Sequence, residues 1–350
     1  MAHIGIVGAG AGAAGAAYEL ARRRPEVDVT VLEKSRGVCG RAATRRKDGC
    51  TYDYGANYVR SEDERVNRLL TETLDDAGLV DVSEPIYTFD GDGVVSEGRP
   101  PDGPKWTYRE GLTQLAKRLF AEADATVRRE TRVETLQRDA AAETWTLADD
   151  AGETHGPFDA VVLNPPAPQS AELLADADWV ADARGRLRDA AAAVPFRTIW
   201  TAVLHYPFRV EKPYYALVNP ERDHDVGWIA REECKPGHVP AGESLLVVQA
   251  NDPWSRERYD ADPEANVADL AGVAADVLSD ERLRDPDWTD WQGWRYALPD
   301  GGLDAAVRRA AEADGLYPVG DWVGGAARVH VALRSGLEAG ERLADAVDGR

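Results

Sequence analysis

The hydrophobic pattern opens with a short apolar run, His3-Ile4-Gly5-Ile6-Val7, which reads as a buried strand. Residues 8–17 are glycine and alanine with few polar positions, a turn entering a helix. A second apolar run, Val29-Thr30-Val31-Leu32, ends on Glu33. Strand, glycine turn, helix and strand make the start of a βαβ unit. Residues 62–79 read as one helix, with Val66, Leu69, Leu70, Leu74 and Leu79 at mixed three- and four-residue spacings. The Gly-, Pro- and Asp-rich stretch 84–105, with strand-like Ile86-Tyr87-Thr88-Phe89, predicts a hairpin excursion. A helix follows over 111–121, with Leu112, Leu115, Ala116 and Leu119 on one face. Short strands are expected near 131–136 and 144–147. Residues 158–163 read as a buried strand stopped by Asn164-Pro165-Pro166.

The second half changes character. An alanine-rich helix is expected over 170–193, then strands at 198–206, 214–218, 226–230 and 244–250, then a helix at 263–279. Most of the ten tryptophans fall here. An aromatic β-sheet domain inserted between parts of a nucleotide-binding domain accounts for this order. The expected division is 1–83, 106–168 and 296–350 for the nucleotide domain, with 84–105 and 169–295 for the substrate domain.

Charge narrows the partners. The chain has 62 acidic against 41 basic residues, a formal net charge of −21, and its bases are mostly arginine. Such a surface repels nucleic acid and anionic membranes. It suits a salt-adapted cytoplasm, since near 1 M salt the Debye length is about 3 Å and carboxylate repulsion is screened. A merely acidic protein is the alternative. No apolar run reaches the roughly 18 residues of a membrane span, and no basic start of a signal peptide is seen, so a soluble, cytoplasmic protein is expected. Cys39, Cys50 and Cys234 lack CxxC spacing, which argues against a disulfide framework or a metal site.

Chemistry enters with the glycine turn. Gly8 permits a tight turn, and Gly10 lets the backbone approach a pyrophosphate at the helix N-terminus formed by Ala11, Gly12 and Ala13. Gly12 and Gly15 offer a second register. Glu33 stands where a carboxylate bonds ribose hydroxyls, with Lys34 beside it. By itself this turn leaves NAD and FAD unresolved. The next segment, Cys39-Gly40-Arg41-Ala42, passes glycine and an arginine fork close to the pyrophosphate, although cysteine occupies the first glycine position. Near the C-terminus, a strand runs into Gly320-Asp321, and a helix begins near Arg328-Val329-His330. Asp321 suits ribityl hydroxyls. The free N–H groups of the helix suit the carbonyl and N1 edge of a flavin, where reduction places negative charge.

These three segments resemble the flavin-dependent amine oxidase superfamily, and in length and detail its renalase-like branch. Supporting stretches are Tyr52-Asp53-Tyr54-Gly55-Ala56-Asn57-Tyr58, Val161 to Gln169, and Trp294-Arg295-Tyr296-Ala297-Leu298-Pro299. The resemblance implies a Rossmann-type FAD-binding domain with an inserted antiparallel β-sheet substrate domain (α/β plus α+β). It places Val133 near the adenine and Asn57-Tyr58 near the isoalloxazine. No cysteine lies by the C-terminal motif, so the FAD is expected to be non-covalent.

The implied reaction is hydride transfer from a reduced nicotinamide-like or amine substrate, with reoxidation by oxygen to hydrogen peroxide. A dedicated catalytic base is not required, and no catalytic residue is assigned. Tyr58, Trp228, Trp294 and Tyr296 are candidates for the substrate-pocket wall, or else packing residues. Arg231 reads as a solvated arginine that could meet an anionic substrate group, and His205 as a satisfied structural histidine. Alternatives are a desaturase or protoporphyrinogen-type FAD oxidase, and a dinucleotide-binding protein without turnover. The substrate is expected to be a small molecule, and the oligomeric state is not legible.

Overall fold

The computed structural model describes residues 2–99 and 103–348. Its first sheet has five parallel strands, in the order Leu316–Pro318, Ala160–Leu163, His3–Val7, Asp28–Glu33 and Thr126–Arg129. His3–Val7 lies centrally and both its faces are covered, which is why its sequence is apolar without alternation. Ile4 and Ile6 join the core under helices Ala11–Arg23 and Val329–Asp348. On the other face Val7 packs with Trp145, Phe158 and Leu163. Gly5 points there too, where a Cβ would lie 2.8 Å from the Phe158 ring.

The first and last helices touch backbone to backbone. A Cβ on Gly336 would sit 1.9 Å from the Gly12 carbonyl oxygen, and one on Gly15 2.8 Å from that of Leu333. Gly12 and Gly15 therefore admit the C-terminal helix, which settles what the second glycine register is for. The first register, Gly8 and Gly10, makes the turn.

The second sheet has seven strands, in the order Trp288–Pro299, Phe196–Tyr206, Ser244–Ala250, Val226–Arg231, Ala216–Val218, Ile86–Phe89 and Val95–Ser96. Its pairs are antiparallel except for Ala216–Val218 with Ile86–Phe89. One face packs on helix Pro263–Leu278 through Leu204, Leu246, Val248 and Leu270. The other carries Val203, Tyr215, Ala230 and Val247 against Cys50 and Tyr52 from strand Cys50–Asp53 and Tyr54 just after it. The segment leading from the first sheet thus lies on the second.

Three expectations are corrected by tertiary contacts. The helix expected over 62–79 is short, Glu64–Arg68, and widens into a π-turn, Leu69–Thr73. It ends because Asp75 Oδ1 accepts from the Ala77 N–H and Gly78 takes a φ of +76°, after which Leu79–Asp81 is a strand. The helix expected over 170–193 is two, Ala167–Ala175 and Asp182–Ala192. Between them Asp178 pairs by backbone with Leu136 and Arg138, and Trp179 is buried. Leu174, Trp179 and Leu187 share a core with Leu136 and Leu163, so this stretch packs on the first sheet. Residues 158–163 change sheets at Asp159: Thr154–Phe158 belongs to a three-stranded antiparallel sheet and Ala160–Leu163 to the parallel one. The excursion expected at 84–105 contributes Ile86–Phe89 and Val95–Ser96 to the second sheet, while 100–102 lie outside the described residues.

Candidate functional site

A cleft of about 3080 Å³ runs between the two sheets. It is lined by Gly8, Gly10, Ala11, Gly12, Glu33, Lys34, Gly40, Arg41, Ala42, Asn57, Tyr58, Val133, Gly320, Asp321, Arg328, Val329 and His330 from the sequence reading. Trp228, Trp294 and Tyr296 line it as well. Ala13 does not. It is fully buried in the core beneath the first helix, so its small size serves packing rather than contact.

The glycine turn is held from three sides. Gly8 has a φ of +84° and donates to the Leu32 carbonyl at 2.8 Å. The Gly10 N–H donates to Asn164 Oδ1 at 3.0 Å, and a Cβ on Gly10 would lie 2.5 Å from that oxygen. Glu33 accepts from the Ala9 N–H and the Ser35 N–H, each at 2.7 Å. Two backbone donors thus fix this carboxylate at the mouth of the turn, with lone pairs left over for hydroxyl donors.

The Cys39 segment packs directly on this turn. The Cys39 N–H donates to the Ala9 carbonyl at 2.8 Å, and Cys39 itself has a φ of +80°, a conformation that glycine takes without strain. Burial pushes its thiol up to about 12. Arg41 was expected to offer its fork to a pyrophosphate and Asp321 its carboxylate to hydroxyls. The structure pairs them with each other, at 2.7 and 2.9 Å, and Arg41 Nη1 also donates to the Ala297 carbonyl.

Asn164 was missed as a site residue. Its side chain accepts from Gly10 and donates to the Val319 carbonyl, tying the N-terminal turn to the C-terminal motif. The Asn-Pro-Pro that ends its strand was the signal, read as a strand stop and as part of the family resemblance without a role for Asn164 itself. At the C-terminal motif Gly320 has a φ of +133° and its N–H donates to Ser335 Oγ. Helix Val329–Asp348 starts in the cleft wall. Burial, reinforced by Arg334 and Arg328, holds the His330 imidazole below its usual value and therefore neutral at pH 7. Burial and then Arg132 lower the Lys34 ammonium.

The aromatic candidates form three separate groups. Tyr58 meets Tyr215 and Trp228 at ring distances of 6.4 and 6.3 Å. Trp294 stacks on Tyr54 at 5.3 Å, and the Arg45 guanidinium lies 4.2 Å from the Tyr54 ring centre. Tyr296 meets Phe196 edge-on. Among the described residues, two that line the cleft carry buried polar atoms with no hydrogen-bond partner: Asn57 Oδ1 and Trp228 Nε1. Arg231, expected to be solvated, is instead buried and donates to the Val210 and Lys212 carbonyls.

Beneath the cleft wall lies a fully buried ionic cluster. Lys235 Nζ bonds Asp53 Oδ2 at 3.1 Å and Glu232 Oε1 at 2.8 Å, and His238 bonds Glu232 at 3.0 Å. Asp53 also accepts from Thr44, Thr107 and the Leu112 N–H. This cluster anchors the segment that carries Tyr54, Asn57 and Tyr58.

An NAD(P)-binding Rossmann-like domain matches residues 6–73, and the flavin containing amine oxidoreductase family matches residues 99–344. The chain belongs to the flavin-containing amine oxidoreductase family. The fold agrees. A protein from an Exiguobacterium species provisionally named protoporphyrinogen oxidase superposes with a TM-score of 0.76 at 16% identity, over 99% of this chain and 98% of that one. Cyclohexylamine oxidase from Brevibacterium oxydans gives 0.75 at 13% identity, over 99% of each. A fatty acid isomerase from P. acnes gives 0.67 at 12%, over 97% and 98%. At these identities the likeness shows the two-domain fold and not the substrate.

A flavin-containing amine oxidoreductase on a Rossmann frame uses FAD. The cleft fits that group. Gly8 and Gly40 adopt positive φ where backbone must come close, side chains are excluded at Gly10, and Asn57 Oδ1 is a buried acceptor still unsatisfied. Among the described residues no helix is long and apolar enough to cross a membrane.

Proposed function

We propose that this protein oxidises a small amine or a reduced nicotinamide-like molecule and is a renalase-like member of its family. The single observation that carries the reading is the convergence of the glycine turn, the Gly40-Arg41 loop and the C-terminal motif on one cleft whose far wall is aromatic. Bound there, FAD would accept a hydride at N5 and pass its electrons to oxygen, giving hydrogen peroxide.

The chain's own part is binding, orientation and exclusion of water. Glu33 would hold the ribose hydroxyls and Val133 the adenine. The helix beginning at Val329 would present its free N–H groups to the electron-rich edge of the reduced ring. Its neighbour His330 is neutral, so that helix end adds no ring charge at pH 7. Tyr58, Trp228, Trp294 and Tyr296 would wall the substrate space, and their apolar faces favour a neutral amine or dihydropyridine over an ion. Binding is proposed to be non-covalent: Cys39, Cys50 and Cys234 are all buried, and none lies in the C-terminal motif.

We also propose a two-part division of the chain, with the 84–105 excursion going to the second sheet and helices Ala167–Ala175 and Asp182–Ala192 to the parallel one. The acidic surface is read as adaptation to a salt-rich cytoplasm. Anaerobic mixing with a panel of dihydronicotinamide isomers and amines tests the reaction. Bleaching of the visible flavin band by one class is expected. Flavin that dithionite reduces and no panel member does would favour binding without turnover.

A further inference from the structure

Cys50, His205 and Glu243 converge on the second sheet, and none of the three lines the cleft. One ligand atom from each lies within 4.8 Å of the others. Cys50 starts its strand, His205 is the penultimate residue of Phe196–Tyr206, and Glu243 immediately precedes Ser244–Ala250. The ladder register, Tyr206 opposite Ser244 and His205 opposite Leu245, brings His205 and Glu243 side by side. Sequence spacing hides such a group, because its ligands come from three separate segments.

The hydrogen bonding of His205 is unresolved by protein groups alone. Its ring is 5% exposed and lies flat on Trp288, at 4.9 Å and 6°. Nε2 is 3.0 Å from Glu243 Oε2, while Nδ1 has no aligned hydrogen-bond partner, though Asp287 Oδ2 is 3.3 Å away. A cation shared by Nε2, the Glu243 carboxylate and the Cys50 sulfur would replace the Nε2–Glu243 contact, with Asp287 Oδ2, 3.3 Å from Nδ1, standing where a metal-bound histidine commonly has its outer carboxylate.

The placement of charged groups points the same way. Nearby, Arg231 faces Glu233 at 3.8 Å, and Lys47 sits over the Trp288 ring and donates to the Thr289 carbonyl. Among the described residues, the charged partner found for Glu243 is His205. The Asp53, Glu232 and His238 group is a useful contrast, since there Lys235 already supplies the cation.

We propose that Cys50, His205 and Glu243 bind one divalent transition-metal ion of the zinc class, completed by water through the partly exposed Glu243 side. Thiolate, imidazole and carboxylate are the donor set that zinc takes tetrahedrally. On binding, the Cys50 S–H bond breaks, its proton goes to solvent, and a sulfur–metal bond forms. The ion would brace three strands behind the cleft rather than act on substrate.

The test uses the flavin-loaded protein, stripped with chelator and titrated with Co²⁺ in high KCl to suppress loose binding to surface carboxylates. One cobalt per chain is expected, with intense tetrahedral d–d bands beyond the flavin absorption, displaced by Zn²⁺ with one proton released at first binding. Cys50→Ser and His205→Gln should each weaken binding by at least about tenfold, and neither should change flavin content. Absence of tetrahedral cobalt in the unsubstituted protein would overturn the proposal. So would identical binding in either variant.

Discussion

Arg41 and Asp321, 280 residues apart in sequence, face each other with both guanidinium Nη atoms on both carboxylate oxygens, at 2.7 and 2.9 Å. The pair joins the loop after the second strand to the C-terminal motif, so two walls of the cleft share one rigid contact. Among the described residues, no protein acceptor is found for the Arg41 Nε–H or for one Nη2–H.

Arg41→Ala is expected to destabilise the protein by more than the ~1 kcal/mol of an exposed pair, approaching the ~3–5 kcal/mol of a buried one, because the Asp321 side chain is only 9% exposed. Urea unfolding measures this, and flavin per chain should fall in parallel. A variant that keeps both values would leave the contact without consequence.

Glu33→Ala should weaken FAD retention while the fold survives, read as flavin per chain after dialysis. The loss also frees the Ala9 and Ser35 N–H groups, so Glu33→Gln, which keeps one acceptor, should retain more flavin than Glu33→Ala. Equal, undiminished occupancy in both would remove the ribose assignment.

Gly336→Ala places a Cβ 1.9 Å from the Gly12 carbonyl oxygen, and neither backbone can yield cheaply. The expected outcome is a loss of about 1–3 kcal/mol as for other overpacked sites, together with weaker flavin binding, since the displaced helix begins in the cleft wall. Thermal unfolding with and without added FAD separates the two effects.

The Asp53–Lys235 cluster sets a pH window. Burial pushes the Asp53 carboxyl up, but Lys235, His238 and hydrogen bonds outweigh it and hold the group below its usual range. Its stabilisation is therefore present above the unfolded value near 3.9 and lost as pH falls through the folded one. Burial pushes the Lys235 ammonium down, but Asp53 and Glu232 outweigh it and raise it. That contribution is complete below about pH 10 and lost as pH rises through the folded value. Melting temperature should be level between and fall on both sides. Lys235→Met should cost about 3–5 kcal/mol at neutral pH and flatten the acid limb, because Asp53 loses the cation that holds its carboxyl low. An acid limb as steep as before would show that the cluster does not govern it.

The salt reading predicts that stability rises steeply from low to molar KCl, as screening relieves the surplus of 62 acids over 41 bases. Full stability at low salt would contradict it.

Local chemistry was legible where it acts locally. Gly8, Gly10 and Glu33 sit within one βαβ unit, so spacing alone located their places in the turn. The Arg41–Asp321 contact was not legible, since nothing in either segment says that the two charges meet rather than await a ligand. Strand Trp288–Pro299 escaped because it is a sheet edge with mixed burial, and its Asp, Gln, Gly and Arg break any two-residue alternation. The split of the 170–193 helix depends on Asp178 pairing with a strand 40 residues earlier, which no local propensity reports.

The absorbance of the purified protein tests the central claim most directly. The cleft built from the Gly8, Gly40 and Gly320 segments predicts a yellow protein with about one FAD per chain, all released to the supernatant on denaturation. A colourless protein that takes up no FAD, or flavin that stays with the denatured chain, would contradict it.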